Sequence, residues 1–119
     1  MRALWSVSGY HLGQGTGISG QEAQRYLFKA LDLTQGEIIF DGRSCQTGEL
    51  QRRKVDPARF LPLAWRVTPE ELGIAEREIE VVSTDCALPG FREYLRLQGN
   101  RLVIRIEGVF YFLDPVWNR

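Results

Sequence analysis

Residues 101–113, RLVIRIEGVFYFL, decide the fold. Two apolar runs flank the dipeptide Glu107-Gly108. A connection this short leaves no room for a crossover, so the runs must be antiparallel neighbours. In VFYFL successive side chains point to opposite faces. Phe110 and Phe112 share one side, and Val109, Tyr111 and Leu113 the other. Both faces are apolar, so one needs a cover, from the helix or from a partner. Core packing explains them more simply than an exposed aromatic binding patch.

Working backwards, FREYLRL (91–97) is separated from this pair by QGN, and REIEVVSTDC (77–86) precedes it. The four runs predict a β-meander. Glu78 and Glu80 alternate with Ile79 and Val81, which reads as the solvent face of a strand. Further upstream, residues 3–10 read as a strand with Leu4, Ser6, Ser8 and Tyr10 on one side and Trp5 and Val7 on the other. SGQEAQRYLFKAL (19–31) predicts a helix. Ser19 and Glu22 form a capping box, and Ala23, Tyr26, Leu27 and Ala30 make an apolar face. LDL is a short strand, TQG a turn, EIIFDG a second strand and GELQRRKV a polar edge strand. DPARFLPLAW, with two prolines, is expected to be irregular, although Phe60, Leu61, Leu63 and Trp65 must pack somewhere. TPEELG is a compact helical turn capped by Thr68 and ended by Gly73. The fold class expected is mainly β: a single-domain antiparallel barrel or strongly curved sheet of about seven or eight strands with one packed helix.

The 119 residues carry 15 basic and 15 acidic side chains, for a formal net charge of zero. No clustered basic excess points to nucleic acid. No apolar run is long enough for a membrane span. The opening MRALWSVSGY has no apolar signal core, so the chain is either cytosolic or a mature form from which an export signal has been removed.

The chain has two cysteines, Cys45 and Cys86. Three readings compete for them. A disulfide would close a loop of roughly 40 residues and stabilise by about 4 kcal/mol. Tetrahedral zinc needs four ligands, and His11 is the single histidine, so the metal reading lacks donors. The third reading is a free or catalytic thiol, mostly inert reduced cysteines; a catalytic one would want a histidine base nearby. No cofactor or metal is expected.

GQGTG (13–17) lacks the spacing and the parallel βαβ context of a dinucleotide loop, and reads as a plain connection. No nucleophile elbow is present, and no catalytic residue is assigned. QRRK (51–54) reads as a solvated edge that discourages strand pairing, with contact to an anion as the alternative. The expected binding surface is the glycine-rich loop with Tyr10 and His11, followed by LPLAW with Leu63 and Trp65.

The order SGQEAQRYLFKAL, IIFDGRSC, IEVVSTDC, YLRL, RLVIRIEGVFYFLDP resembles small exported bacterial β-barrel proteins of lipocalin-like or META-like type. The resemblance covers most of the chain as a pattern of elements. It implies a periplasmic or lipoprotein-derived domain in which Cys45 pairs with Cys86. Exported bacterial barrels of this size include inhibitors of lysozymes and proteases and immunity proteins against toxins. The expectation is a non-catalytic envelope protein whose partner is another protein, most concretely an enzyme or toxin that it inhibits. The alternatives are a carrier of a small apolar ligand in a lipocalin-like pocket, or a structural envelope protein. A pocket of about 300 Å3 or more would favour the carrier, and a filled core with an exposed patch the protein binder.

Overall fold

The computed structural model describes residues 3–34 and 36–116. They form nine antiparallel strands in one curled half-barrel sheet. The strands are β1 (Ala3–Leu12), β2 (Ala30–Thr34), β3 (Glu37–Phe40), β4 (Arg43–Gln46), β5 (Gln51–Val55), β6 (Ile79–Ser83), β7 (Glu93–Arg96), β8 (Leu102–Ile106) and β9 (Val109–Pro115). Their order across the sheet is β4-β3-β2-β1-β9-β8-β7-β6-β5. The meander expected from the last third of the sequence is present, and β5 is an edge strand as its polar sequence suggested.

The ninth strand is β4, and it has a definite cause. Asp41 and Gly42 both have positive φ, 50° and 75°. Phe40 pairs with Arg43 across them. This is the two-residue hairpin in which both turn residues are left-handed, favoured by Asp-Gly. Cys45 therefore lies within a strand, opposite Ile38, and not beyond one. Glu107 and Gly108, at φ 52° and 79°, make the same turn between β8 and β9.

The two edge strands, β4 and β5, are consecutive in the chain. Only residues 47–50 join them, so the facing ends lie within roughly 18 Å of each other. The sheet must curl to bring them there. They do not pair; other links hold the seam. The Cys45–Cys86 disulfide joins β4 to the segment just after β6. Beside it the Gly48 N–H donates to Asp85 Oδ1 at 3.2 Å.

Curling gives the sheet two apolar faces with separate covers. The inner face gathers Trp5, Val7, Leu31, Ile38, Phe40, Val82, Phe91, Tyr94, Leu102, Ile104, Tyr111 and Leu113. The outer face of β6–β9 carries Ile79, Val81, Leu95, Val103 and Phe110, packed against Leu61, Trp65, Val67, Leu72 and Ile74. The two-faced pattern of VFYFL is thus satisfied from within the chain, but the outer cover is residues 57–74 and not the N-terminal helix.

That cover is helical where the prolines suggested irregularity. Helix α2 (Pro57–Phe60) starts with Asp56 Oδ1 accepting from the Ala58 N–H at 3.0 Å and Pro57 in the first turn, where its missing donor costs nothing. Pro62 then cannot donate, and the chain widens into a π-helical turn, Leu61–Trp65, ended by Arg66 at φ 53°. The following turn closes as expected: Thr68 Oγ1 accepts from the Glu71 N–H at 3.2 Å.

The predicted thirteen-residue helix is far shorter. Helix α1 (Gly20–Ala23) continues as a 3-10 turn, Gln24–Tyr26. Phe28 then turns left-handed at φ 66°, and the Phe28 N–H donates to Val7 O at 2.9 Å. Pairing with β1 overrides helix propensity, which is weak over so short a segment. The capping box survives, with Ser19 and Glu22 bonding each other's backbone. Ser19→Ala is expected to cost about 1 kcal/mol, read as a lower denaturant midpoint at unchanged slope. The helix plugs one end of the half-barrel. There the Tyr111 hydroxyl donates to Ala23 O at 3.0 Å, and the Tyr26 ring stacks on Phe40 at 5.8 Å.

Candidate functional site

The opposite end is open. A cavity of about 410 Å3 lies there, lined by strand ends of β1, β2, β3, β5, β6 and β7 and by the linker 47–50. Trp5, Leu33, Ile38, Val82 and Tyr94 form its apolar wall; Arg52, Arg96 and Glu37 supply charge. Each comes to this place through strand parity. Arg52 stands opposite Val82, which stands opposite Tyr94. All three therefore face inward across three neighbouring strands. Arg96 follows Tyr94 by two residues on the same face.

Asn100 organises one wall. Its carbonyl accepts from Trp5 Nε1 at 2.6 Å, and its side-chain Oδ1 accepts from Arg96 Nη2 at 2.6 Å. Asn100 is left-handed, φ 61°, in the turn Gln98–Asn100. The turn between β7 and β8 thereby fixes an indole and a guanidinium side by side.

Burial raises the pKa of the Tyr94 hydroxyl, with Arg52 and Arg96 acting in the lowering direction and Glu80 in the raising one. At neutral pH the group is a protonated donor. Glu80 lies opposite both Lys54 and Arg96, on the face of Val82. It is therefore half-buried toward this end of the sheet and not on an open solvent face as its alternation suggested.

The sequence-derived surface is dispersed. A bulge between Val7 and Gly9 inserts Ser8 and reverses the parity of β1 beyond it. Tyr10 thereby joins Trp5 and Val7 on the inner side, where its hydroxyl donates to Gly20 O at 3.2 Å. His11 turns outward. Its Nε2 is 3.4 Å from Glu71 Oε2, and its ring lies 6.3 Å from Phe110. Trp65 is 2% exposed, so it is core and not contact surface. Its ring stacks on Phe110 at 5.9 Å and its Nε1 donates to Glu93 Oε1 at 2.9 Å. Leu63 alone of the four projects fully, at 84% exposed. Among the described residues no group of three or more metal-ligating side chains comes together.

The glycine-rich loop has a structural role. The Gly13 N–H donates to Gly108 O at 2.8 Å, and a Cβ on Gly13 would collide with that carbonyl. Thr16 Oγ1 donates to Glu107 O at 2.8 Å. The loop therefore braces the turn between β8 and β9. A cleft of about 270 Å3 beside it includes Arg66, Arg105 and Trp65. Arg105 is engaged there, bonded to Ala64 O at 3.3 Å and lying 4.9 Å over the Trp65 ring.

No protein-family model, no curated protein and no solved structure matches the chain. The geometry of the open end is thus what bears on function. No helix among the described residues is long and apolar enough to cross a membrane.

Proposed function

We propose that the protein is a non-catalytic, extracytoplasmic binding protein that holds a small molecule in the mouth of its half-barrel. One observation carries this reading: a cavity of about 410 Å3, floored by Trp5, Ile38, Val82 and Tyr94, at the end that the helix leaves open. Ligand pockets occupy roughly 300–1,000 Å3 and combine an apolar wall with a few placed polar groups. The Cys45–Cys86 disulfide supports an oxidising compartment, the periplasm or the exterior.

The test uses the neutral probe N-phenyl-1-naphthylamine. Its fluorescence is expected to rise on binding to the wild-type protein. Ala3 lines the mouth yet is exposed, so Ala3→Trp plugs the entrance without overfilling the core. This variant is expected to keep the melting temperature and lose the probe. Equal probe binding by the variant and the wild type would overturn the reading.

A protein contact is the second reading, favoured by the exposure of Leu63 on the outer cover. An inhibitor or immunity protein acting on an envelope enzyme or toxin would use such a side chain as an anchor. It stands second because single exposed leucines are ordinary on protein surfaces.

A further inference from the structure

We propose that the occupant of the mouth is an organic anion, with an apolar body against Trp5, Ile38 and Val82 and a carboxylate, sulfonate or phosphate group held by Arg52 and Arg96. This inference rests on the ligand-binding reading above and adds the charge of the ligand.

Arg52 is the central observation. Its neighbours on β5 are occupied: Arg53 lies 3.8 Å from Glu93, and Lys54 lies 3.8 Å from Glu78. Among the described residues the Arg52 side chain has neither an ion pair nor a hydrogen bond, although it lines the cavity from the inner face. Arg96 also lacks an ion pair among the described residues. Its guanidinium is held by a neutral group, Asn100 Oδ1, which orients it without cancelling its charge. A guanidinium presents five donors, so most of its capacity remains open to a ligand.

The acidic groups at this end make no ion pair with Arg52 among the described residues. Glu37 is on β3, across the mouth, where its Oε2 accepts from Gln46 Nε2 at 3.4 Å. Glu80 is in register with Lys54 and Arg96. Arg52 is thus a cation on the lining of the mouth that makes no ion pair among the described residues, and Arg96 joins it from the strand that carries Tyr94. The protonated Tyr94 hydroxyl adds a neutral donor to the lining of the same cavity. Planar forked donors suit the oxygens of a carboxylate, sulfonate or phosphate. The apolar wall opposite supplies the site for the rest of the molecule.

Two probes with the same ring system separate the charge from the pocket. 8-Anilino-1-naphthalenesulfonate carries a sulfonate; N-phenyl-1-naphthylamine does not. Arg52 is exposed on an edge strand, so Arg52→Gln leaves the fold intact. It is expected to weaken the sulfonate probe about tenfold and the neutral probe less than about twofold. Arg52→Lys should retain part of the sulfonate affinity. Raising the salt concentration should weaken the sulfonate probe only. Arg52→Gln acting equally on both probes, or on neither, overturns the anion proposal. It leaves the pocket reading intact if Ala3→Trp still displaces both.

Discussion

Reducing the Cys45–Cys86 disulfide, or replacing both cysteines with serine, is expected to cost about 4 kcal/mol. The two residues are 41 apart in sequence, and the entropy of closing such a loop in the unfolded chain sets this figure. For a domain of this size the melting temperature should fall by on the order of 15 °C. The topology says why the bond matters in the folded state too. Strands β4 and β5 are sheet edges that face each other without a ladder. Strand β4 contributes little burial of its own, since Arg43, Ser44 and Gln46 are exposed. Once the disulfide is cut, the Gly48–Asp85 hydrogen bond and the linker 47–50 remain to hold that edge. Amide exchange in β4 should therefore accelerate more than in β8 or β9. Coincident thermal melts with and without reductant would contradict this account of the seam.

Trp65→Ala is expected to cost about 3–5 kcal/mol, whereas Leu63→Ser, two residues away, should change stability by less than about 0.5 kcal/mol. Both side chains come from LPLAW, and the π-helical turn separates their fates. Trp65 lies between Phe110, Phe60 and the Arg105 guanidinium, and its indole N–H is bonded to Glu93. Truncation would open a cavity under the outer cover and remove a donor from a carboxylate. Leu63 packs on little that a serine would forfeit. Chemical denaturation of the two variants checks the pair. A Trp65→Ala protein as stable as wild type would mean that residues 57–74 do not form a true second core.

Much of this architecture was legible because strand patterns and short turns act locally. The meander could be read from VFYFL, IRIEGVF and LRLQGNRL, whose turns leave the chain one option. The capping boxes at Ser19 and Thr68 could also be read, since each is complete within four residues. What was missed depends on single residues that change parity or on distant pairing. Asp41-Gly42 is a hairpin signal; read as the end of a strand, it hid β4. Ser8 forms a bulge, and no alternation rule shows which residue of a small-residue strand will be extruded. Tyr10 was consequently given the wrong side relative to Trp5. The helix from Ser19 ended early because β1 offered Phe28 a better backbone partner. Trp117, counted among the aromatics of the chain, lies outside the described residues. The mouth itself was not foreseen, because it is assembled from six strands. One trace of it was present. Tyr94 and Arg96 alternate with Leu95 and Leu97, a strand apolar on one side and mixed on the other. The basic run at residues 51–54, read as a solvated edge or an anion contact, places one of its members inside the mouth.

The most direct test of the central claim is an amide-resolved NMR titration of the isotopically labelled protein with 8-anilino-1-naphthalenesulfonate. The account predicts saturable shifts concentrated at Trp5, Leu33, Ile38, Arg52, Val82, Tyr94 and Arg96, and little change around Leu63 or the glycine-rich loop. Shifts confined to the outer cover near Leu63, or none below aggregation of the probe, would contradict it and give the protein-contact reading first place.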